Sequence, residues 1–144
     1  MSYTLDANIL LYAANGASPL HKRSLAIVTQ SARGPEIVYL FWPTIMAYLR
    51  IATHPAIFSR PLSASEAVSD IEKLISRPHI RTPGEQDRFW ARFSDVAADA
   101  APTGNLVPDA HLVTLMIENG VRTIWTRDRD FRRFRGIEVR DPFE

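Results

Sequence analysis

Short apolar segments with strand character alternate along this chain with longer segments of helical periodicity. The clearest strands are EIVYLFW, residues 36–42, and VRTIWT, residues 121–126, which are apolar and rich in β-branched and aromatic residues. Apolar runs of this kind are typical of parallel strands that are buried on both faces of a sheet. Strands that alternate with helices predict a three-layer α/β/α domain with a central parallel sheet of about five strands.

The remaining segments complete this pattern. Further strands are predicted at 3–6, 78–82 and 137–140, and a short helix at 128–134. Longer helices are predicted at 7–15, 20–34, 43–53, 65–76, 85–100 and 104–120. Ser63 and Glu66 have the spacing of a helix capping box. No repeat, linker or low-complexity segment interrupts the pattern, so residues 1–144 are expected to form a single domain.

Composition excludes several classes of protein. The 144 residues suffice for one hydrophobic core, and the net charge of +1 gives no overall signature of nucleic-acid binding. No cysteine is present, which excludes disulfides, thiol catalysis and cysteine-ligated metals and fits a cytoplasmic protein. No apolar run approaches the roughly 20 residues of a membrane span, and the N-terminal apolar segment lacks a preceding basic region, so neither a membrane protein nor a signal peptide is expected.

Several aspartates follow or face the ends of predicted strands. Asp6 sits where the first strand ends, Asp128 sits where the strand TIWT ends, and Asp130 lies in the first helical turn after Asp128. Asp109 follows Pro108 at the start of a helix. Because ligands bind beyond the carboxyl ends of parallel strands, these four carboxylates are expected to converge at one edge of the sheet. Each acid alone is equally explained as a helix cap or as a first-turn residue that suits the helix dipole.

A group of converging carboxylates requires protons or a cation to offset its mutual repulsion. A hard divalent ion with oxygen ligands, such as Mg²⁺, meets this need and keeps several bound waters. The side-chain amide of Asn8, two residues beyond Asp6, would order those waters or would instead cap the first helix. The sequence therefore indicates a hydrated metal site.

Arginine supplies nearly all the positive charge, since only Lys22 and Lys73 are lysines. Arg127 and Arg129 flank Asp128 and would bind the phosphates of a polynucleotide, although a solvated arginine-rich face explains them equally well. A divalent metal beside phosphate-binding arginines indicates phosphoryl chemistry with a metal-activated water. The chain contains neither GxxxxGK[ST] nor GxGxxG, and its histidines lack the paired spacing of a zinc site.

Four segments resemble a known family. They are YTLDANILLYA at 3–13, FWPTIMAYLRIATHPAIF at 41–58, NLVPDAHLVTLMIENG at 105–120 and TIWTRDRDFRRFRGIEV at 123–139. Together they resemble the PIN domain and, more narrowly, the VapC-type toxins of toxin–antitoxin pairs. The resemblance covers nearly the whole chain and implies a PIN-like fold.

This resemblance also implies a function. Members are Mg²⁺- or Mn²⁺-dependent endoribonucleases, often homodimers, and a VapB-type antitoxin holds them inactive. The family's first, third and fourth acidic ligands correspond to Asp6, Asp109 and Asp128, with Asp130 as an accessory, so these four form the expected catalytic set and the first three the metal ligands.

One position departs from the family's pattern. Many members carry a glutamate where this chain has Ala47, in a stretch like AExxR. Its absence puts a second metal in doubt and leaves open a catalytically weak module that binds RNA or an antitoxin. Arg50, three residues further, is a candidate contact for substrate or antitoxin, and a surface arginine is the alternative.

Overall fold

A five-stranded parallel sheet lies at the centre of the computed structural model, which describes residues 1–144. The strand order is β3-β2-β1-β4-β5, and every neighbouring pair is parallel. The strands are β1 (Ser2–Leu5), β2 (Ile37–Tyr39), β3 (Ile80–Arg81), β4 (Thr123–Trp125) and β5 (Glu138–Arg140). The expected three-layer α/β/α architecture with about five parallel strands is confirmed.

Helices pack against both faces of this sheet. The helices are α1 (Ala7–Ala14), α2 (His21–Arg33), α3 (Trp42–Ala52), α4 (Ala64–Ile75), α5 (Phe89–Ala100) and α6 (Leu106–Glu118). A 3-10 helix, Arg129–Arg133, lies between β4 and β5. None of these helices has the length and apolarity needed to cross a membrane.

Two hydrophobic cores form because successive strand residues point to opposite faces of the sheet. Leu5, Val38 and Leu40 pack with residues of α1 to α4 on one face. Phe41 and Ile124 pack with residues of α5, α6 and the 3-10 helix on the other. The apolar runs at 36–42 and 121–126 thus contain β2 and β4, but both strands are shorter than predicted, and Trp42 already belongs to α3.

Strand order determines where a ligand site can form. The connections from β1 to β2 and from β2 to β3 proceed in one direction across the sheet, and the connection from β3 to β4 returns to the other side of β1. The carboxyl ends of β1 and β4 therefore meet at a switch point, which is the usual place for a ligand crevice in an open α/β sheet.

Most helix boundaries agree with local sequence signals. Ser63 and Glu66 form the predicted capping box of α4. Gly34 and Gly120 follow the ends of α2 and α6 with φ angles of 78° and 67°, a region that glycine adopts without strain.

Helix α5 differs from its predicted start. It begins at Phe89 rather than Glu85. Glu85 is hydrogen-bonded to the side chain of His111, and the backbone N–H of Gln86 donates to Glu118. These contacts with α6 keep residues 85–88 out of the helix, an effect that periodicity alone does not reveal.

Candidate active site

The aspartates at the switch point are positioned by the ends of two strands. Asp6 directly follows β1, and its backbone N–H donates to the carbonyl of Trp125 in β4 at 3.0 Å. Asp128 caps the 3-10 helix, where its Oδ1 accepts the backbone N–H of Asp130 at 2.9 Å. Both acids thus lie at the carboxyl edge of the sheet, as expected from the strand pattern.

Three of the predicted acids form a compact cluster. One carboxylate oxygen from each of Asp109, Asp128 and Asp130 lies within 4.8 Å of the others. Asp109 reaches this cluster from the first turn of α6. Asp6 adjoins it on the buried side, close enough that the charges of Asp6 and Asp128 both act on Asp109. The four carboxylates therefore share one region although they come from separate parts of the chain.

The hydroxyl of Thr126 links two of these acids. Its Oγ1 donates to Oδ2 of Asp6 at 2.8 Å and accepts the backbone N–H of Asp128 at 2.9 Å. Thr126 is 1% exposed, so its hydroxyl has no competing water. Thr126 was not among the residues predicted from the sequence. A threonine two residues before an aspartate is the signature of a side-chain turn and was the signal available.

Burial and like charge raise the pKa of two carboxyl groups. Burial raises the pKa of Asp6, the hydrogen bond from Thr126 lowers it, and the charge of Asp128 raises it. The pKa of Asp109 is raised to about 7, first by burial and then by the charges of Asp128, Asp6 and Asp130. None of these four acids forms an ion pair with an arginine or lysine. No ion pair therefore neutralises this cluster.

The predicted substrate-binding residues near the cluster are solvent-exposed. Arg127 makes no ion pair, and Arg129 lies 3.6 Å from Oε1 of Glu144 through its Nη2. Asn8 is exposed in the first turn of α1, and its side chain makes no hydrogen bond. Arg127 and Asn8 are therefore free to contact a ligand, whereas Arg129 is paired with Glu144.

Helix α3 carries Ala47, where the chain departs from the family's pattern, and Arg50, the predicted contact for substrate or antitoxin. Ala47 is half-buried near the middle of the helix. Arg50 is exposed in the last turn and forms no ion pair, and no hydrogen bond joins it to the four acids. Its role in substrate binding stays a prediction.

The side chain of His111 contacts Glu85 and Phe89. Its Nε2 lies 2.7 Å from Oε1 of Glu85, and its ring meets that of Phe89 edge-on at 5.3 Å between centroids. The hydrogen bond from His111 lowers the pKa of Glu85. These contacts attach the loop before α5 to α6, close to the helical turn that carries Asp109.

Comparison with known proteins assigns this chain to a family. The family model of the PIN domain matches residues 3–137. The chain therefore belongs to the PIN-domain family.

Within that family the similar relatives are VapC ribonucleases. Ribonuclease VapC48 of Mycobacterium tuberculosis is 49% identical over 143 residues, which cover 99% of both chains. Ribonuclease VapC37 of the same organism is 32% identical over 138 residues, covering 96% of this chain and 95% of the relative. The expected resemblance to VapC-type proteins is confirmed.

Solved structures share the fold at low sequence identity. The M. tuberculosis toxin VapC20, described as cleaving the sarcin–ricin loop, superposes with a TM-score of 0.66 at 13% identity and covers 90% of this chain and 92% of its own. VapBC2 of Rickettsia felis, bound to a DNA fragment of its promoter, gives 0.67 at 15% identity and covers 97% and 98%. These similarities support the α/β/α fold.

Proposed function

We propose that this protein is a divalent-metal-dependent endoribonuclease and the toxin of a VapBC-type pair, acting in the cytoplasm on RNA. The observation that carries the proposal is the cluster of Asp109, Asp128 and Asp130 beside half-buried Asp6, in which no acid forms an ion pair with a basic side chain. Identity of 49% to ribonuclease VapC48 over nearly the whole chain supports the same reaction.

The donor set fits a hard divalent cation. Every candidate ligand is a carboxylate oxygen, and no cysteine or histidine belongs to the cluster. Oxygen-only sites of this kind suit Mg²⁺ or Mn²⁺ rather than zinc or copper. Asp6, Asp109 and Asp128 would hold the ion, with Asp130 as an accessory acid that completes the catalytic set. Bound there, Mg²⁺ would lower the pKa of a coordinated water and neutralise charge on the phosphate.

The protein's own residues supply orientation for the hydrolysis. Thr126 fixes the carboxylate of Asp6 and the backbone before the 3-10 helix, so that the acids keep their spacing when RNA binds. Arg127 and Arg129 would bind phosphates that flank the scissile bond, and Arg50 and Asn8 are further candidates for substrate contact. Attack of water on phosphorus then breaks one P–O ester bond of the RNA backbone.

A cleavage assay tests this assignment. We expect Asp6→Asn and Asp128→Asn each to reduce Mg²⁺-dependent RNA cleavage by at least about a hundredfold, because each removes a ligand charge. Asp95→Asn on the exposed surface of α5 is the matched control and is expected to cleave normally. Full activity in both cluster variants would rule out the proposed metal site.

A VapB-type antitoxin is the proposed protein partner. An apolar groove of about 430 Å³ lies between α1, α2 and α4, and its walls include Leu10, Leu25, Val28 and Leu74. Amphipathic helices bind such grooves through apolar side chains spaced three and four residues apart. We expect Leu25→Asp to abolish co-purification with the antitoxin, and Val68→Asp, an exposed residue of α4 outside the groove, to preserve it.

Homodimerisation is proposed on the basis of exposed apolar residues. Trp42 and Met46 lie one turn apart on α3 and are 40% and 53% exposed. Residues four apart share one face of a helix, so the two side chains form a contiguous apolar surface. Light scattering is expected to give the mass of a dimer, and Met46→Glu to give that of a monomer.

A second candidate function rests on Ala47. With no carboxylate at this position, the chain would be a catalytically weak PIN module that binds RNA or an antitoxin. Mn²⁺ titration by calorimetry distinguishes the two candidates. Absence of binding at millimolar Mn²⁺ favours the weak module, and binding that is lost in Asp128→Asn favours the nuclease.

A further inference from the structure

A second cavity lies on the sheet face packed by α1 to α4, away from the aspartate cluster. It has a volume of about 390 Å³ and is bounded by α2 on one side and by β1, β4 and β5 on the other. Its polar and aromatic lining comprises Tyr3, Arg23, Gln30, Glu36, Trp125 and Arg140. We call it the α2 cavity. Its volume falls within the range of about 300–1,000 Å³ found for small-molecule sites.

Two arginines of the α2 cavity are each oriented by one hydrogen bond from Nε. Arg23 donates through Nε to the carbonyl of Pro142 at 3.0 Å, and Arg140 donates through Nε to Oε1 of Glu138 at 2.7 Å. Neither guanidinium makes another hydrogen bond or ion pair. Each therefore keeps its four Nη–H donors available while its orientation is set. This arrangement suits an oxyanion such as phosphate, which arginine binds through two parallel hydrogen bonds.

An aromatic wall adjoins these arginines. The rings of Tyr3 and Trp125 meet edge-on with centroids 6.4 Å apart. The guanidinium of Arg140 lies 5.8 Å from the centroid of the Trp125 ring. Aromatic rings and guanidinium planes both stack on nucleobases. Gln30 and Glu36 add an amide and a carboxylate that can hydrogen-bond to the edge of a base or to ribose hydroxyls.

The α2 cavity is connected to the aspartate cluster through the backbone. The carbonyl of Trp125 accepts the N–H of Asp6 at 3.0 Å, and the carbonyl of Arg140 accepts the N–H of Thr126 at 2.9 Å. Trp125 and Arg140 line the cavity with their side chains. Their main-chain carbonyls are hydrogen-bonded to Asp6 and Thr126 at the acid cluster. A ligand that moves these strands changes the spacing of the carboxylates.

We propose that the α2 cavity binds a nucleoside 5′-monophosphate, with the phosphate on Arg23 and Arg140 and the base against Trp125 and Tyr3, and that this binding alters the affinity of the aspartate cluster for metal. The binding itself does not depend on the proposed ribonuclease activity. It is measured on protein in EDTA, where no metal can bridge a nucleotide to the acids.

Calorimetric titration with AMP, GMP, CMP and UMP tests the binding. We expect at least one nucleotide to bind, and inorganic phosphate to bind at least about tenfold more weakly, since it leaves the aromatic wall empty. Arg23→Gln and Arg140→Gln are each expected to weaken binding about tenfold, because each removes hydrogen bonds to a charged group. Arg33→Gln, at the exposed end of the same helix and outside the cavity, is the matched control and is expected to bind normally.

Three results would overturn the nucleotide site. They are no binding of any of the four nucleotides at millimolar concentration, phosphate binding as tight as nucleotide binding, and undiminished binding by both cavity variants. The indole N–H signal of Trp125, assigned with Trp125→Phe, locates the ligand independently. A nucleotide that shifts the signals of Trp42 or Trp90 but not that of Trp125 binds elsewhere and also contradicts the proposal.

Metal titration tests the connection to the acids. Thermodynamic coupling is reciprocal, so a nucleotide that alters Mn²⁺ affinity must itself bind with altered affinity when Mn²⁺ is present. We expect the dissociation constant for Mn²⁺ to change at least about threefold in nucleotide-saturated protein. An unchanged constant would overturn the coupling, and the result is independent of whether the protein cleaves RNA.

Discussion

At the scale of single residues, one hydroxyl links two acids whose carboxylates repel each other. Thr126 bonds to the carboxylate of Asp6 and to the backbone of Asp128, so the two acids cannot move apart independently. A metal site needs ligands that are already oriented, because each ligand that is free in the unbound protein must be ordered on binding. Thr126 therefore belongs to the site although it is not one of the proposed ligands.

Removing this hydroxyl gives the first prediction. Thr126→Val is expected to weaken Mn²⁺ binding by about 10- to 100-fold, the usual effect of losing a group that orients a metal ligand. Thr126→Ser keeps the hydroxyl and is the control, with near-normal affinity expected. Calorimetry measures both constants. Equal affinities in the valine and serine variants would show that the hydroxyl does not position Asp6.

Asp109 gives a prediction about pH. Its pKa of about 7 in the folded protein exceeds the ordinary value of 3.8, so the folded state binds the proton more tightly than the unfolded state. The protonated carboxyl contributes its full stability below pH 3.8, and this contribution declines as pH rises through about 7. In the absence of metal, Asp109→Asn has no carboxyl that ionises and does not lose this stability. At pH 8 its melting temperature is expected to exceed that of the wild type.

The advantage of the same variant should be smaller at pH 5, where Asp109 is still protonated in the folded protein and only part of the decline has occurred. The increase at pH 8 is expected to be only about 3 °C, because solvent screens a half-exposed carboxyl. Thermal melting in EDTA at both pH values measures it. The same advantage at both pH values would mean that neither burial nor the neighbouring charges raise the pKa of Asp109.

At the scale of elements, the periodicity of the sequence predicted the order and type of nearly every helix and strand. Asp6 and Asp128 were placed at one edge by the rule that parallel strands end together, and that rule needs only the chain direction. The side-chain rotamer of Thr126 and the contacts of Glu85 depend on neighbours distant in sequence. Periodicity contains no information about this rotamer or these contacts. Thr126 was therefore not predicted as a site residue, and the start of α5 was predicted four residues too early.

The capping box of α4 is an element feature with a measurable effect. The Oγ of Ser63 accepts the backbone N–H of Glu66 at 3.1 Å. Ser63→Ala is expected to lower the free energy of unfolding by about 1 kcal/mol, since a first-turn N–H then loses its partner. Ser65→Ala, an exposed first-turn residue that does not cap the helix, is the control. Chemical denaturation measures both, and equal stabilities would contradict the capping role.

At the scale of the whole molecule, the site joins segments that are far apart in the chain. Asp6 comes from the end of β1, Asp109 from the start of α6 and Asp128 from the end of β4. The two hydrophobic cores hold these segments together against the repulsion of the carboxylates. Folding therefore brings together carboxylates whose repulsion a bound cation would relieve.

Metal binding should consequently stabilise the entire fold. An ion that binds only the folded state at a hundred times its dissociation constant adds about 2.7 kcal/mol, which corresponds to a rise of roughly 5–10 °C in melting temperature for a chain of this size. We expect Mn²⁺ to produce this rise at pH 8 in the wild type and in Asp95→Asn. Asp128→Asn should lose it. Protons compete with the metal for Asp109, whose pKa is about 7, so the rise should also diminish at pH 5. A rise that persists in Asp128→Asn would place the metal elsewhere on the molecule, and the acids at the switch point would then serve only as helix caps.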